Sequence, residues 1–525
     1  MKRRDFLKTT TPLITLPLVI GGLPIHAIGR TRVLDTLWRV LSTTDRVLVL
    51  IQLNGGNDGI NTVIPLDQLS AYYRVREHVA LPESSLLPIT NSAALHPAMT
   101  EIQRMYNEGM VTIIQGVAYP NTNLSHFRST DIWMTASDYN EYLKTGWMGR
   151  YLNTLFPNYP SGYPNASTPD PPAIQIGAIM ALALHGSHAS MGLALQDPET
   201  FYNIVNGVEG TAGGQTPDTR PGRELAYLRQ VELQSQQYSA CIKAAADRAQ
   251  NRASYPSNNT LADQLRIVAR LIAGGLQTRV YLVSINGFDT HAAQVEEGNT
   301  TQGIHATLLG RLSSAVYAFF DDLRQHGLQD RVIAMTFSEF GRRVASNASY
   351  GTDHGTAAPM FVFGTQVIPG IRGTNPSLTE LDANGNLLMQ YDFRQVYTSI
   401  LAQWFGVDRD LLRTVMLRDF PTIPIIQTGT TSATETTLVG GTNLEIFPNP
   451  TPCGQRAKIT FRLTGPAEVE ITLHDETGRS FSRMSLGYLD AGHQECFLPP
   501  VELPGVVFCT VRAGNQFFRG QLVVE

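Results

Sequence analysis

Hydrophobic and polar positions follow one pattern over residues 44–427 and a different one after residue 442. In the first stretch, short apolar runs rich in β-branched residues are separated by longer amphipathic segments. Nearly continuous apolar runs of this length predict strands that are buried on both faces of a sheet. The runs are RVLVLIQL (46–53), MVTIIQGV (110–117), AIQIG (173–177), RVYLVSIN (279–286), RVIAMTF (331–337) and PMFVFG (359–364).

The segment between the fourth and fifth runs has apolar residues at helical spacing. Strand–helix–strand order of this kind predicts a parallel sheet with right-handed crossovers, and hence an α/β domain over residues 44–427. Further helices are predicted at 226–250, 261–275 and 392–406, and an irregular loop at 155–172. The apolar face of the central helix comprises Ile304, Leu308, Leu312, Val316, Phe319, Phe320 and Leu323.

The C-terminal part reads as a separate all-β domain. Residues 428–442, TGTTSATETTLVGGT, are rich in threonine and glycine and carry one charge, which is typical of a flexible linker. In residues 443–525, apolar and polar positions alternate in runs such as KITFRL and VEITLHD, with turns such as ETGR between them. Short alternating strands at this spacing predict a small β-sandwich.

Composition narrows the class of protein. The chain has 525 residues, 42% of them hydrophobic, and a formal net charge of −5, which suits a large globular core and gives no indication of nucleic-acid binding. Residues 1–27 have a basic head and a short, proline-broken apolar stretch, which predicts a cleaved export signal and no stable membrane span in the mature chain. Four cysteines without a CxxC pattern leave their pairing open.

Polar clusters follow the predicted strands at the points where they end. NGGNDGINT, LSHFRSTD, GFDTH and SEFGRR follow four of the runs, and TDHG precedes the last. Because the carboxyl ends of parallel strands meet at one edge of a sheet, these clusters are expected to converge there. Their oxygen and nitrogen donors suit a divalent metal such as zinc, calcium or manganese. The predicted metal ligands are Asp58, Asp289, His291, Glu339 and His354.

Three further residues are candidates for the chemistry. Ser125 precedes a helix-like segment, whose amino end would favour an anionic ester group, and it is the candidate nucleophile; Thr62 is a weaker one. His126 and Arg342, with Arg128, could stabilise charge on the transferred group. Each candidate also has an ordinary alternative as a turn residue, helix cap or surface ion pair.

The order of these motifs resembles the domain of unknown function 1501 family. The motifs are LNGGNDGINTVIP, LSHFRSTDIW, GFDTH, FSEFGRR, TDHGTA and DFRQVYTSILAQWFG, spread over residues 44–410. The family is related to the alkaline phosphatase–sulfatase superfamily, which implies an α/β/α sandwich with one or two metals and a hydroxyl nucleophile. By this resemblance Asp58 is the carboxylate after the first strand, and Asp289, His291 and His354 are an Asp/His/His metal group. Glu339 falls where the superfamily has an Asp-His pair; no histidine adjoins it, and DTH is more closely spaced than the superfamily pair.

The two ends of the chain resemble export sequences. IFPNP (446–450), VEITLHDETGRS (469–480), AGHQECFLP (491–499), GVVFCTVRAG (505–514) and the terminal GQLVVE resemble the type A C-terminal sorting domain of type IX secretion. RRDFLK near the N-terminus resembles a twin-arginine signal. Both resemblances imply export machinery as partners, and a route through the periplasm to the cell surface or the extracellular space.

Taken together, the sequence predicts a secreted, metal-dependent hydrolase of phosphate or sulfate esters, acting on a small ester or a polysaccharide. A non-catalytic surface binding or scaffold protein with a degenerate phosphatase-like site is the alternative, because the second metal site is incomplete and the nucleophile is not marked. A component of cell-envelope assembly is a third, weaker hypothesis.

Overall fold

Two units make up the chain, Met1–Thr428 and Gly429–Glu525, and each has its own hydrophobic core. The computed structural model describes residues 15–20, 23–28, 45–207, 219–427, 444–463, 465–475, 480–502, 504–513 and 516–525. Residues 1–14 of the predicted export signal and the predicted linker at 428–442 lie outside the described residues. The two short strands Thr15–Ile20 and Leu23–Ile28 pair antiparallel.

In the described part of the first unit, nine strands form the main sheet. All six apolar runs form strands in it, and the prediction of an α/β fold with a mostly parallel sheet is confirmed. The order across the sheet is β8-β2-β7-β6-β1-β5-β3-β4, and β9 pairs with β2. In chain order the strands are β1 (Val47–Asn54), β2 (Val111–Ala118), β3 (Ala173–Ile176), β4 (Leu193–Leu195), β5 (Val280–Asn286), β6 (Val332–Phe337), β7 (Ala358–Phe363), β8 (Gly370–Arg372) and β9 (Tyr391–Asp392).

Strand β7 is the exception to the parallel arrangement, since it runs antiparallel to both β6 and β2. The connection from β6 to β7, residues 338–357, contains no helix, so the chain turns back at the edge where β6 ends. As a result β7 begins at the edge at which β1, β2, β5 and β6 end. Residues just before β7 therefore meet the residues that follow the other strands.

Helices lie on both sides of the main sheet. Ile304–Gln325 packs against Thr100–Asn107 and Thr260–Ala273, whereas Arg409–Met416 packs against Trp147–Leu155 and Phe393–Ser399. The predicted apolar face of Ile304–Gln325 is buried except at Ile304, which is 45% exposed in the first turn. The other helices are Gly59–Thr62, Leu69–Val75, His126–Thr135, Pro198–Gly207, Arg220–Arg248 and the π-helical turn Ile400–Trp404, with short 3-10 turns at Leu66–Gln68, Glu83–Ser85, Leu182–Leu184 and Gln329–Arg331.

Among the residues that the structure describes, none of the helices has both the length and the apolar composition needed to cross a membrane. A small three-stranded antiparallel sheet, formed by Val63–Pro65, Leu87–Pro88 and Ala93–Leu95, completes the first unit.

The second unit consists of two antiparallel sheets, as the alternating pattern predicts. Side chains of Lys458–Leu463 and Ala467–His474 alternate between buried and accessible positions, because only one face of each sheet covers the core. The four cysteines of the chain, all within the described residues, are free thiols. The sheets have the strand orders Glu445–Phe447, Lys458–Leu463, Gly492–Phe497 and Ser480–Leu489, Ala467–His474, Gly505–Ala513, Gln516–Val524.

Two buried histidines make the stability of the first unit depend on pH. Burial lowers the pKa of His305 to about 4 and that of His96 to about 3, and the two rings stack edge to face. Below their unfolded pKa of 6.5 the unfolded chain binds protons that the folded chain does not, so stability falls as the pH is lowered. We expect each histidine to cost about 2 kcal/mol of unfolding free energy between pH 7.5 and 5.

Urea titrations at the two pH values measure this loss. His305→Gln keeps a donor toward the Asn57 side chain, which lies 3.0 Å from His305 Nε2, and should remove about half of the pH dependence. An unchanged pH dependence in the variant would contradict the assignment.

Candidate metal site

Four side chains converge at the carboxyl edge of the main sheet. Asp289 and His291 lie in the loop after β5, His126 is the first residue of the helix that follows β2, and His354 precedes β7. One ligand atom from each of His126, Asp289 and His354 lies within 4.8 Å of the others. His291 Nε2 lies 2.9 Å from His354 Nε2. Four residues that are far apart in sequence thus form one cluster.

The Asp289 carboxylate is at the centre of this cluster. Its Oδ1 lies 3.2 Å from the Nε2 atoms of both His291 and His354, and its Oδ2 lies 3.4 Å from His126 Nε2. The Asp289 and His291 side chains are 48% and 46% exposed, so the cluster opens to solvent on one side. Every histidine therefore presents the same ring atom to a single carboxylate on an accessible surface.

The other ring nitrogen of each histidine faces an acceptor. A carboxylate or a backbone carbonyl only accepts hydrogen bonds, so each Nδ1 carries a hydrogen, and in the neutral form of such a ring the lone pair is on Nε2. Burial lowers the pKa of His354, which keeps its ring neutral at neutral pH. The pairs are His126 Nδ1 with Glu339 Oε1 at 2.8 Å, His291 Nδ1 with Asp353 Oδ1 at 3.0 Å, and His354 Nδ1 with the Leu124 carbonyl at 2.9 Å.

The convergent atoms are all electron-pair donors. Burial acts to raise the pKa of Asp289, but the hydrogen bond and the charge of the Arg342 guanidinium lower it overall, so the carboxylate is charged. His126 Nε2 is buried and has no hydrogen-bond partner among the described residues. In this tautomer no proton lies between the facing lone pairs, so they repel each other, and a cation at their centre removes that repulsion.

The donor set fits a transition-metal or zinc ion. Three imidazole nitrogens and one carboxylate oxygen suit zinc or manganese, whereas calcium prefers six to eight oxygen ligands. Carboxylate or carbonyl partners on the distal nitrogens of the histidines are the usual support of such a site. Of the predicted metals, calcium therefore does not fit.

Arg342 does not face the space above the cluster, where it was predicted to stabilise a transferred group. The residue is buried, and its guanidinium donates to Asp289 Oδ1 at 2.7 Å and to the carbonyls of Gly56 at 2.7 Å and Thr352 at 2.9 Å. Its Nη2 also donates to the Phe288 carbonyl at 3.0 Å. Every nitrogen of this guanidinium donates to the protein and the side chain is fully buried, so Arg342 holds the Asp289 carboxylate in place.

Arg128 is also turned away from the cluster. Its Nη2 donates to the carbonyls of Asp138 at 3.1 Å and Tyr139 at 3.0 Å, in the loop after its own helix. It therefore stabilises that loop.

Glu339 supports the cluster through its contact with His126. The side chain is 4% exposed, and its Oε1 accepts from His126 Nδ1 and, at 2.9 Å, from the backbone N–H of Gly55. These contacts show that Glu339 orients the His126 ring, and His126, which the sequence assigned to the chemistry, presents its Nε2 to the cluster.

Asp58 lies apart from the cluster, and its prediction as a ligand is wrong on these contacts. The carboxylate is fully buried, and its Oδ2 lies 2.5 Å from Arg76 Nη1 and 2.6 Å from Gln294 Nε2. Its Oδ1 caps the helix Gly59–Thr62 through the N–H of Asn61. Burial raises the pKa of Asp58, but the Arg76 charge and its hydrogen bond lower it overall, so the pair is ionic.

Ser125 occupies the rim of the site. It is the N-cap residue of His126–Thr135, its side chain makes no capping hydrogen bond, and the residue is exposed. It adjoins both His126 and the carbonyl of Leu124, which accepts from His354. Thr62, the weaker candidate, is buried and donates to the Asp58 carbonyl at 2.7 Å, which removes it from consideration as a nucleophile.

Gly55 sets the distance between β1 and the Asp289 loop. It has φ +121°, and a Cβ built there would lie 2.3 Å from the Asp289 backbone nitrogen. We expect Gly55→Ala to displace Asp289, to lower zinc affinity at least about tenfold and to cost about 2 to 4 kcal/mol of stability. Zinc titration calorimetry and urea unfolding measure the two effects.

Gly298→Ala is the matched control for this change. Gly298 has φ +80° but nothing within 4 Å of its added Cβ, so its substitution carries the backbone strain without the clash. Equal zinc affinity in the Gly55 and Gly298 variants would contradict the positioning role of Gly55.

Residues 115–416 match the family model described as a protein of unknown function, DUF1501. The match spans more than half of the chain. The chain belongs to this family. All four convergent residues of the DUF1501 chain lie within the matched range, together with Glu339, Arg342 and Asp353, whereas Asp58 lies outside it.

No curated protein matches this DUF1501 chain. Among solved structures it is similar to a protein in the alkaline phosphatase superfamily from Vibrio parahaemolyticus, with 8% identity, a TM-score of 0.32, and 89% of this chain and 79% of that chain covered. It is also similar to the PsFucS1 sulfatase from Pseudoalteromonas sp., with 11% identity, a TM-score of 0.29, and 89% and 88% covered. Similarity at this level carries no information on the site or the substrate.

Proposed function

We propose that this DUF1501 protein is a metal-dependent hydrolase of phosphate or sulfate esters. The single observation that supports this most strongly is the convergence of three Nε2 lone pairs and one carboxylate on a solvent-facing point. A divalent cation held by His126, Asp289, His291 and His354 would supply Lewis acidity toward an ester oxygen.

Other residues of the chain would hold the ligands in place and bind the ester group. Glu339, Asp353 and the Leu124 carbonyl hold the three imidazoles as ligands, and Arg342 holds Asp289. The exposed side of the cluster leaves room for an ester group, and the first turn of His126–Thr135 presents backbone N–H groups that favour its negative charge.

The Ser125 hydroxyl is the nucleophile of this proposal. Its oxygen attacks phosphorus or sulfur and loses its proton, and the alcohol of the ester leaves with a proton. Water then attacks the serine ester and releases phosphate or sulfate. The exposed Oγ, which makes no capping bond, and its neighbour His126 support this role.

Reconstitution tests the proposal. Metal-free protein is loaded with zinc or manganese and assayed on aryl phosphates and aryl sulfates, with the metal-free sample as control. We expect turnover only after loading, and we expect Ser125→Ala to lower kcat by at least about a thousandfold at unchanged metal content. Metal-loaded protein without turnover on either ester class would favour the non-catalytic binding or scaffold alternative.

We further propose export through the twin-arginine and type IX routes, supported by RRDFLK and by the motifs of the C-terminal unit. Replacing Arg3 and Arg4 by lysine should retain the protein in the cytoplasm, because twin-arginine recognition needs both guanidinium groups. Fractionation followed by immunoblotting measures this, and unchanged export of the variant would overturn the twin-arginine part.

A further inference from the structure

A large cavity with both polar and apolar lining lies at the amino edge of the main sheet, opposite the candidate metal site. Its volume is about 830 Å³, and cavities of a few hundred to about 1,000 Å³ hold small organic ligands. Arg46, Arg279 and Arg331 line it, and each immediately precedes a strand, β1, β5 and β6 respectively. Because β6, β1 and β5 are neighbours in the sheet, the three arginines begin adjacent strands about 4.8 Å apart.

The charge of the cavity wall is positive. Two carboxylates, Asp45 and Asp170, line it together with the three arginines. Asp170 Oδ2 already accepts the backbone N–H of Gln277 at 2.8 Å. Asp45 Oδ2 lies 3.6 Å from Arg331 Nε, and its side chain is 73% exposed, so this pair is weak.

Several guanidinium donors remain for a ligand. Arg331 Nε donates to the Asp45 carbonyl at 2.9 Å, but within the described residues neither of its Nη atoms donates to the protein. Arg46 uses Nη1 for the Trp404 carbonyl at 2.5 Å, which leaves Nη2 without a protein acceptor in the same part of the chain. Guanidinium N–H groups without a protein acceptor are donors that bind phosphate, sulfate or carboxylate.

The rest of the wall suits a polar organic body. Tyr163 and prolines of the 156–171 loop give the cavity apolar lining, and Ser167 and Gln277 add polar groups. An inorganic anion would fill only a small part of this volume. Sugar rings combine an apolar face with hydroxyl groups, which matches such a lining.

We propose that this cavity binds an acidic saccharide, with its sulfate, phosphate or carboxylate group held by Arg331 and Arg46. The site is independent of the metal cluster, since it lies at the other ends of the same strands. An experiment can therefore contradict saccharide binding in this cavity without contradicting the proposed hydrolase activity, and the reverse.

Titration calorimetry with three probes tests the proposal: a sulfated disaccharide, the same disaccharide without sulfate, and inorganic sulfate. We expect the sulfated disaccharide to bind metal-free wild-type protein and metal-free His354→Ala equally, because removing the metal takes the proposed ester site out of the comparison. Arg331→Gln should weaken it at least about tenfold, and Arg331→Lys less, because lysine keeps the charge but not the fork. Raising the salt concentration should weaken binding as well.

Arg409→Gln is the matched control, because Arg409 is 86% exposed and its loss removes the same charge elsewhere. Its affinity should equal that of the wild type. Three results would overturn the proposal: no binding of the sulfated disaccharide, equal binding in Arg331→Gln, or binding that disappears in His354→Ala. Tighter binding of the unsulfated probe would do so too, since the arginines would then have no role.

Discussion

His354→Ala leaves the protein with less than about a tenth of an equivalent of zinc or manganese after reconstitution, whereas wild-type protein holds about one. The reason is geometric: His354 Nε2 lies 2.9 Å from His291 Nε2 and 3.2 Å from Asp289 Oδ1, so its removal opens the centre of the cluster. His291→Ala should behave in the same way. Elemental analysis of the dialysed protein measures both.

Two further variants calibrate this result. Asp353→Asn weakens the support of His291 without removing a ligand, so it should lower metal affinity about 10- to 100-fold at retained stoichiometry. His188→Ala removes an exposed histidine elsewhere in the chain and should leave the metal content unchanged. Full metal content in His354→Ala would show that the cluster is not the metal site.

Asp58→Ala lowers the free energy of unfolding by about 3 to 5 kcal/mol, because it leaves the Arg76 guanidinium buried without its counter-ion. Both side chains are fully buried, and the N–O distance is 2.5 Å. Urea unfolding at pH 7.5 measures the loss.

Glu108→Ala is the control for this prediction. It breaks an ion pair with Arg104 in which the two side chains are 42% and 60% exposed, and it should cost less than about 1 kcal/mol. If Asp58→Ala costs no more than Glu108→Ala, Asp58 is not the buried anchor described here. Metal content should survive Asp58→Ala in any fraction that remains folded, since Asp58 does not contact the cluster.

The fold follows from the sequence because its strands are buried on both faces. Short apolar runs such as VLVLIQL indicate buried strands. The helical spacing of the apolar residues from Leu308 to Leu323 predicts the crossover helix between β5 and β6. The antiparallel direction of β7 could not be obtained in this way, since it depends on a helix-free connection over residues 338–357 whose path is set by tertiary contacts.

The sequence predicted the location of the candidate site better than the role of each residue in it. The carboxyl end of β5 brought Asp289 and His291 to one edge, as parallel topology requires, whereas His354 reaches the same edge because β7 runs antiparallel. The direction of each side chain decides whether the residue would coordinate a metal or would support a coordinating residue. His126 points its Nε2 into the cluster because Glu339 holds its Nδ1. A sequence offers no signal for that difference.

Asp58 was predicted to be a metal ligand, but the structure places it in a buried ion pair outside the cluster. Its position after β1 matches that of a ligand, but Arg76, 18 residues further along, draws it into a buried ion pair. A carboxylate between glycines can cap a helix or bind a metal, and only the identity of its neighbours in space decides between the two.

Anomalous diffraction from crystals grown with zinc or manganese tests the central claim most directly. We predict a single anomalous peak about 2.0 to 2.3 Å from the Nε2 atoms of His126, His291 and His354 and from an oxygen of Asp289. A map without a peak there, or with the ion bound at Asp58, would contradict the account.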